Sequence, residues 1–188
     1  MKSDTRQIIL TRASELFYSE GFNNTGMEKI TEVCGIRKPS LYHHFGSKNE
    51  LGLEYLEYKA ESLFAMLTAL LKRSKSFDAY LNAWAGAYVV LARRREFAGC
   101  PFTAFASELD PFEREFFSKR LQKVEKDWLA FQEEAIRKFH GRANASALAR
   151  RLLVVHTGCV MLFRASRDMR HLRQLKVEFN RFCAEEEL

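Results

Sequence analysis

Side chains able to do chemistry in this sequence fall into three groups: four cysteines, two adjacent histidines, and a run rich in hydrogen-bond donors between Arg37 and Lys48. Cys34, Cys100, Cys159 and Cys183 lack the paired spacing of a zinc site, and nothing about them suggests a secreted disulfide framework. They read as reduced thiols. His43 and His44 point about a hundred degrees apart if helical, and neither has a carboxylate or cysteine at i+4 to complete a metal site. No nucleophile and base stand at a motif spacing, and no Gly-rich loop is present to cradle a phosphate. Neither enzyme chemistry nor a metal nor a cofactor is expected. The remaining group, Arg37-Lys38-Pro39-Ser40-Leu41-Tyr42-His43-His44 and on to Lys48, has the hydrogen-bonding character of a binding surface.

The elements that must position this run are helical. Phe, Leu, Ala, Glu, Lys and Arg are plentiful while Gly and Pro are sparse, which suits an all-α protein. Ile9, Ala13, Leu16 and Phe17 recur at helical spacing and Gly21 supplies a stop, predicting a first helix over about 4–20. Thr25-Gly26-Met27-Glu28 has the form of a capping box, in which a hydroxyl and a carboxylate three residues apart satisfy backbone donors at a helix start. It predicts a short helix over 26–33. Gly35 ends that helix by accepting the left-handed conformation, and Pro39 suits the first turn of the next, over 37–44. Ser47-Lys48-Asn49-Glu50 is a second capping box, opening a long helix to about Arg73 that links two domains without a flexible tether. Further helices are predicted over 77–95, 101–107, 112–139, 144–166 and 169–184, about nine in all. The expected domains are 1–47 and 48–188.

Two short helices joined by a tight turn and braced by a preceding helix form a tri-helical helix-turn-helix unit, whose last helix can enter a DNA major groove. Hydrophobicity places Ile30, Val33, Ile36, Leu41 and Phe45 inside and turns the polar positions of the third helix outward.

Here the chain resembles the TetR/AcrR family of transcriptional regulators. The resemblance is carried by Ala13…Leu16-Phe17…Gly21-Phe22…Thr25, then Ile30…Val33-Cys34-Gly35-Ile36, then Ser40-Leu41-Tyr42-His43-His44-Phe45…Lys48…Leu51, continuous over about 45 residues. It implies that the third helix is the recognition helix. In that role Lys38 can donate to guanine or phosphate, Ser40 to base or phosphate, and Pro39 can touch a thymine methyl. Tyr42, His44 and Lys48 look like phosphate-facing positions, and Thr25 is expected to offer its hydroxyl to another phosphate beside a helix N-terminus. Position 37 departs from the family pattern, where a small hydroxyl residue is usual. Arg37 cannot cap the helix as serine does, at a cost of about 1 kcal/mol, but it can contact guanine bidentately, and is expected to contribute to operator choice. A solvated arginine or a nonspecific phosphate contact is the competing reading.

The resemblance fades after about residue 60. It implies a larger C-terminal helical domain whose last two helices pair with their copies in a second subunit. Leu148, Leu152 and Val155 on one stripe, with Leu172, Leu175 and Phe179 on another, are the expected dimer interface, although either stripe could face its own core. The middle of the chain is crowded with aromatics, and Trp84, Tyr88, Cys100, Phe102, Phe105, Trp128, Phe131 and His156 are candidates to line a pocket for an apolar or aromatic small-molecule effector. The alternative is that they fill a core. Gly99-Cys100-Pro101-Phe102 and Ala106-Ser107-Glu108-Leu109 resemble segments of one subgroup of the family, and Cys100 could serve as a reactive thiol with Arg93, Arg94 and Arg95 near in sequence.

The implied function is a homodimeric repressor that binds double-stranded DNA at a palindromic operator and is released by a small ligand. An architectural DNA-binding protein of the same fold without an effector, or a redox sensor acting through Cys100, are the alternatives. The formal net charge of +6 suits a polyanion, but residues 1–50 carry only seven Lys and Arg against six Asp and Glu, so the argument rests on individual residues. The first residues lack the apolar stretch of a signal peptide, and the run from Leu152 to Phe163 is too short to span a bilayer. A cytoplasmic protein with no membrane partner is expected.

Overall fold

The computed structural model describes residues 2–141 and 144–186, and among these the chain forms nine α-helices and no strand. They are α1 (Lys2–Ser19), α2 (Met27–Cys34), α3 (Lys38–His44), α4 (Lys48–Arg73), α5 (Phe77–Arg93), α6 (Pro101–Glu108), α7 (Pro111–His140), α8 (Ala145–Ser166) and α9 (Met169–Glu185). The chain divides into two compact units, Met1–Glu61 with Pro101–Gln122, and Ser62–Cys100 with Lys123–Leu188. This differs from a single cut after residue 47. The opening turns of α4 bury Leu51, Tyr55 and Leu56 in the first unit, and α6 and the start of α7 add Phe105 and Phe117 to it.

The core of the first unit grows from the apolar stripe of α1. Ile9, Ala13 and Phe17 are almost fully buried, and Phe17 meets Phe22 edge-on at 5.1 Å between ring centres. Phe22 in turn packs 4.6 Å from Phe105, which lies 4.8 Å from Phe117. Each buried ring of this size contributes about 1.5–3 kcal/mol by leaving water, so this aromatic chain fastens α1, α6 and α7 of the unit together.

The turns follow local chemistry, with one exception. Gly35 closes α2 at φ +64°. Its N–H donates to the Glu32 carbonyl at 3.1 Å and that of Ile36 to Thr31 at 3.0 Å, the paired pattern that satisfies the last carbonyls of a helix. Ser47 accepts from the Glu50 N–H at 3.1 Å, as its capping box predicts. The expected box at Thr25 does not form: Gly26 is the N-cap of α2 without a side-chain bond, and the Thr25 hydroxyl donates instead to the Gly21 carbonyl at 2.8 Å. Tertiary burial of Thr25 outcompetes the local cap.

In the second unit α9 packs against α5 and α8 around a core that includes Phe77, Tyr80, Trp84, Leu148, Leu152, Leu172, Leu175 and Phe179. Gln132 donates to the Tyr80 hydroxyl at 3.0 Å, and burial raises the Tyr80 pKa well above the usual phenol range. Asn82 joins α5 to α9 through Asn180 at 2.8 Å. Among the described residues, α8 alone has the length and apolar composition to cross a bilayer, yet Leu148, Leu152, His156, Val160 and Phe163 along it are buried within the unit. Arg95, after α5, adopts the left-handed φ of +62°, a conformation that an L side chain tolerates at a cost of about 1–2 kcal/mol.

Candidate nucleic-acid interface

The α2–turn–α3 element holds its inner face with Ile30, Leu41 and Phe45, each 0–3% exposed. Val33, expected inside, is 47% exposed, and Ile36 is only half-buried. An eight-residue helix has one narrow stripe to bury, and Met27 and Ile30 occupy it on α2.

The opposite face is where the donors lie. Arg37, Lys38 and Pro39 are exposed and Ser40 is half-buried. Arg37 is the N-cap of α3 and makes no capping bond, with Pro39 in the first turn behind it. Lys38 is held by an acid from α2: its Nζ donates to Glu28 Oε1 at 2.6 Å. The hydrogen bond and the opposite charge lower the Glu28 pKa and raise that of Lys38.

Among the expected phosphate-facing residues, Tyr42 is 44% exposed. His44 is half-buried and lines an open cleft of about 300 Å³ with Arg6, Phe45, Glu50, Glu54 and Arg120. In that cleft Arg6 pairs with Glu54 at 2.8 Å and covers the Phe45 ring. Lys48 lies 4.5 Å over the Phe22 ring. Partial burial lowers its pKa, against the opposing pull of Glu113 and Glu108. Thr25 does not belong with them: it is 0% exposed and its hydroxyl is spent on Gly21.

Sequence reading did not place two acids in this unit's contacts. Glu28 entered only as half of a capping box, and nothing local pairs it with a residue ten positions on. Glu108 closes α6 onto the α1–α2 turn. It accepts from the Asn23 N–H at 3.1 Å, its backbone carbonyl accepts from the Asn23 amide, and its carboxylate fills the space beside Gly21 where a Cβ would stand 2.7 Å away. A separation of 85 residues leaves no spacing signal for such a contact.

The second unit gathers Trp84, Tyr88, Trp128 and His156. The Trp84 and His156 rings stack at 4.8 Å, Trp128 lies 5.8 Å from each of them, and Tyr88 Oη is 3.2 Å from His156 Nε2. Burial pushes the His156 pKa down to about 4, so the ring is neutral at pH 7. Trp84 Nε1 and His156 Nδ1 are buried without a hydrogen-bond partner among the described residues. Phe131 is half-buried and packs on Phe64 at 5.9 Å. Phe105 does not join this group; it packs on Phe22, Tyr55 and Phe117 in the first unit, to which Phe102 also belongs. Cys100 is half-buried, beside a Gly99 whose φ is +109° and whose missing Cβ would stand 2.7 Å from that of Arg164. Gly99 is thus required by the backbone and by this close approach.

The residues expected at a dimer face prove to be core. Leu148, Leu152, Leu172, Leu175 and Phe179 are 0–2% exposed and Val155 packs against the same cluster, because α8 and α9 turn their widest apolar stripes toward their own unit. Val154, Met161, Leu162 and Val177 are the large apolar side chains those two helices leave exposed.

Comparison with known proteins finds relatives of this geometry. The family model for bacterial regulatory proteins of the tetR family matches residues 9–55. The transcriptional activator FasR of Mycolicibacterium smegmatis is 39% identical over 62 residues, which are 33% of this chain and 28% of FasR. The transcriptional regulator LmrA of Bacillus subtilis is 27% identical over 139 residues, 71% of this chain and 72% of LmrA. In fold, the chain superposes on a TetR-family transcriptional regulator from Streptomyces coelicolor with a TM-score of 0.83 at 22% identity, covering 98% of this chain and 91% of that one. Residues 9–55 thus match the tetR family of bacterial regulatory proteins, and the chain shares its fold with a solved TetR-family regulator.

Proposed function

We propose that the chain acts in the cytoplasm as a homodimeric repressor, setting α3 of each protomer into successive major grooves of a palindromic operator. The observation that carries this reading is the seven-residue α3 itself, buried by Leu41 on one side and exposing Arg37, Lys38, Pro39 and Tyr42 on the other. In it Arg37, Lys38, Pro39 and Ser40 meet base edges, while Tyr42, His44 and Lys48 meet phosphates. A two-fold protein suits a palindromic site, and exposed Val154, Met161, Leu162 and Val177 on α8 and α9 offer the apolar surface for a second copy.

Release by a small molecule is supported by the aromatic cluster of the second unit. Leaving Trp84 Nε1 and His156 Nδ1 buried and unpaired costs about 1–3 kcal/mol each, which a planar apolar ligand with polar atoms at its edge offsets by pairing them. Such a ligand lowers operator occupancy only if it favours the conformation that binds DNA less well. If every ligand found to bind leaves operator affinity unchanged, release by effector is abandoned.

Selection of bound sequences from a random duplex library tests the DNA reading. An inverted repeat is expected for the wild type, with specificity relaxed in Arg37→Ala and binding uniformly weaker in Tyr42→Phe. No enrichment even at low salt, where phosphate contacts are strongest, would overturn the assignment.

A further inference from the structure

The reading face of α3 is not purely a donor surface. Glu28 projects from the first turn of α2 with 83% of its side chain exposed, and its Oε1 lies 2.6 Å from Lys38 Nζ. A carboxylate this close travels with the lysine: when Lys38 is at a base edge, Glu28 is within one hydrogen bond of it. Early in α2 it also suits the positive end of the helix, but that role needs no partner on α3.

The pair has the spacing of a base-pair edge. In the major groove a G·C pair presents guanine O6 as acceptor and the cytosine amino group as donor, and these two atoms are themselves one hydrogen bond, about 3 Å, apart. The Lys38 nitrogen and the Glu28 oxygen form the complementary donor and acceptor at 2.6 Å. A T·A pair, with thymine O4 and the adenine amino group, presents the same order, whereas C·G and A·T present the reverse, so the pair reads which strand carries the keto base and which the amino base. Against bare phosphate the arrangement works in the other direction. The acid neutralises Lys38 and adds a negative charge facing a polyanion, which disfavours sequence-independent binding.

We propose that Glu28 is a specificity-determining residue for DNA, reading with Lys38 the keto base and the amino base of a single pair in each half-site, G·C or T·A against their reversals, and lowering affinity for non-specific duplex. The inference rests on the DNA-binding reading above.

The test is the library selection carried out with wild type and with Glu28→Gln and Glu28→Ala, followed by affinity measurements on the enriched site and on copies in which each base pair of one half-site is replaced in turn. For wild type, reversing one pair of the half-site so that its keto and amino bases change strands should cost roughly tenfold or more in affinity, while exchanging G·C for T·A there should cost less. In both variants the discrimination at that one position should fall severalfold while the other positions keep theirs, and affinity for a scrambled duplex at low salt should rise. Matching thermal unfolding midpoints establish that the variants are folded, which is expected at so exposed a position. If Glu28→Gln and Glu28→Ala keep every preference of the wild type, Glu28 reads nothing and the inference is overturned, with the DNA-binding reading intact. If wild type itself enriches no site, the DNA-binding reading fails first and carries this inference with it.

Discussion

In the first unit the hydrogen-bonding groups of α3 lie outside, on a helix of seven residues whose inner side is fixed by Ile30, Leu41 and Phe45. In the second the polar ring atoms lie inside, where Trp84, Tyr88 and His156 press together and two ring nitrogens find no partner among the described residues. An exposed reader keeps its polar groups solvated until DNA replaces the water, so it can be built from a short segment with little energetic penalty. A buried polar group carries its desolvation cost at all times, and only a large packed core supports it. The matched family segment, residues 9–55, falls in the first unit, whereas filling a core of aromatic rings admits many solutions.

The contrast can be broken most forcefully at Trp84. It is 0% exposed and contacts Tyr80, Tyr88, Trp128, His156 and Phe179. Trp84→Ala should therefore cost about 3–5 kcal/mol in urea unfolding. A cost below about 1 kcal/mol would mean that the second unit is not the close-packed core described above.

A somewhat smaller effect is expected from pH. An imidazole ordinarily titrates near 6.5 and that of His156 is pushed down to about 4, so between these values the unfolded chain binds a proton that the folded chain does not. Stability contributed by the neutral ring is complete above pH 6.5 and is lost as pH falls toward 4, a change on the order of 3 kcal/mol. Unfolding free energies at pH 7 and 4.5 should diverge in the wild type and move closer together in His156→Phe. Equal slopes in the two proteins would place the acid sensitivity elsewhere.

The smallest of the three sharpens the account of the first unit. Gly21 sits at φ +100°, and a Cβ there would come within 2.7 Å of the Glu108 carboxylate. Gly21→Ala should destabilise the protein by about 1–3 kcal/mol and weaken DNA binding by loosening the Asn23–Glu108 clasp. Thermal unfolding alongside operator titration separates the two, and an unchanged midpoint with unchanged affinity would show that the clasp positions nothing.

The reach of sequence reading follows the range of the interactions. Helix existence and order were legible because periodicity, Gly35, Pro39 and the Ser47 box act within a few residues. The outward face of α3 was legible for the same reason, its donors and its buried Leu41 being separated by single positions. Thr25 shows the limit: its local pattern is a helix cap, but burial gave its hydroxyl to Gly21. Phe105 shows it again, since an aromatic ring in sequence carries no label saying which core it enters.

By itself, then, the amino-acid sequence determined the all-α architecture, the helix-turn-helix and the side chains that α3 exposes, all set by contacts between near neighbours. Only the tertiary structure decided that α8 and α9 bury the stripes expected between subunits, that Glu108 closes on Asn23 and that Glu28 stands against Lys38. Those outcomes depend on which apolar faces win the competition for burial and which charges it brings together, and that competition is settled over the whole folded chain.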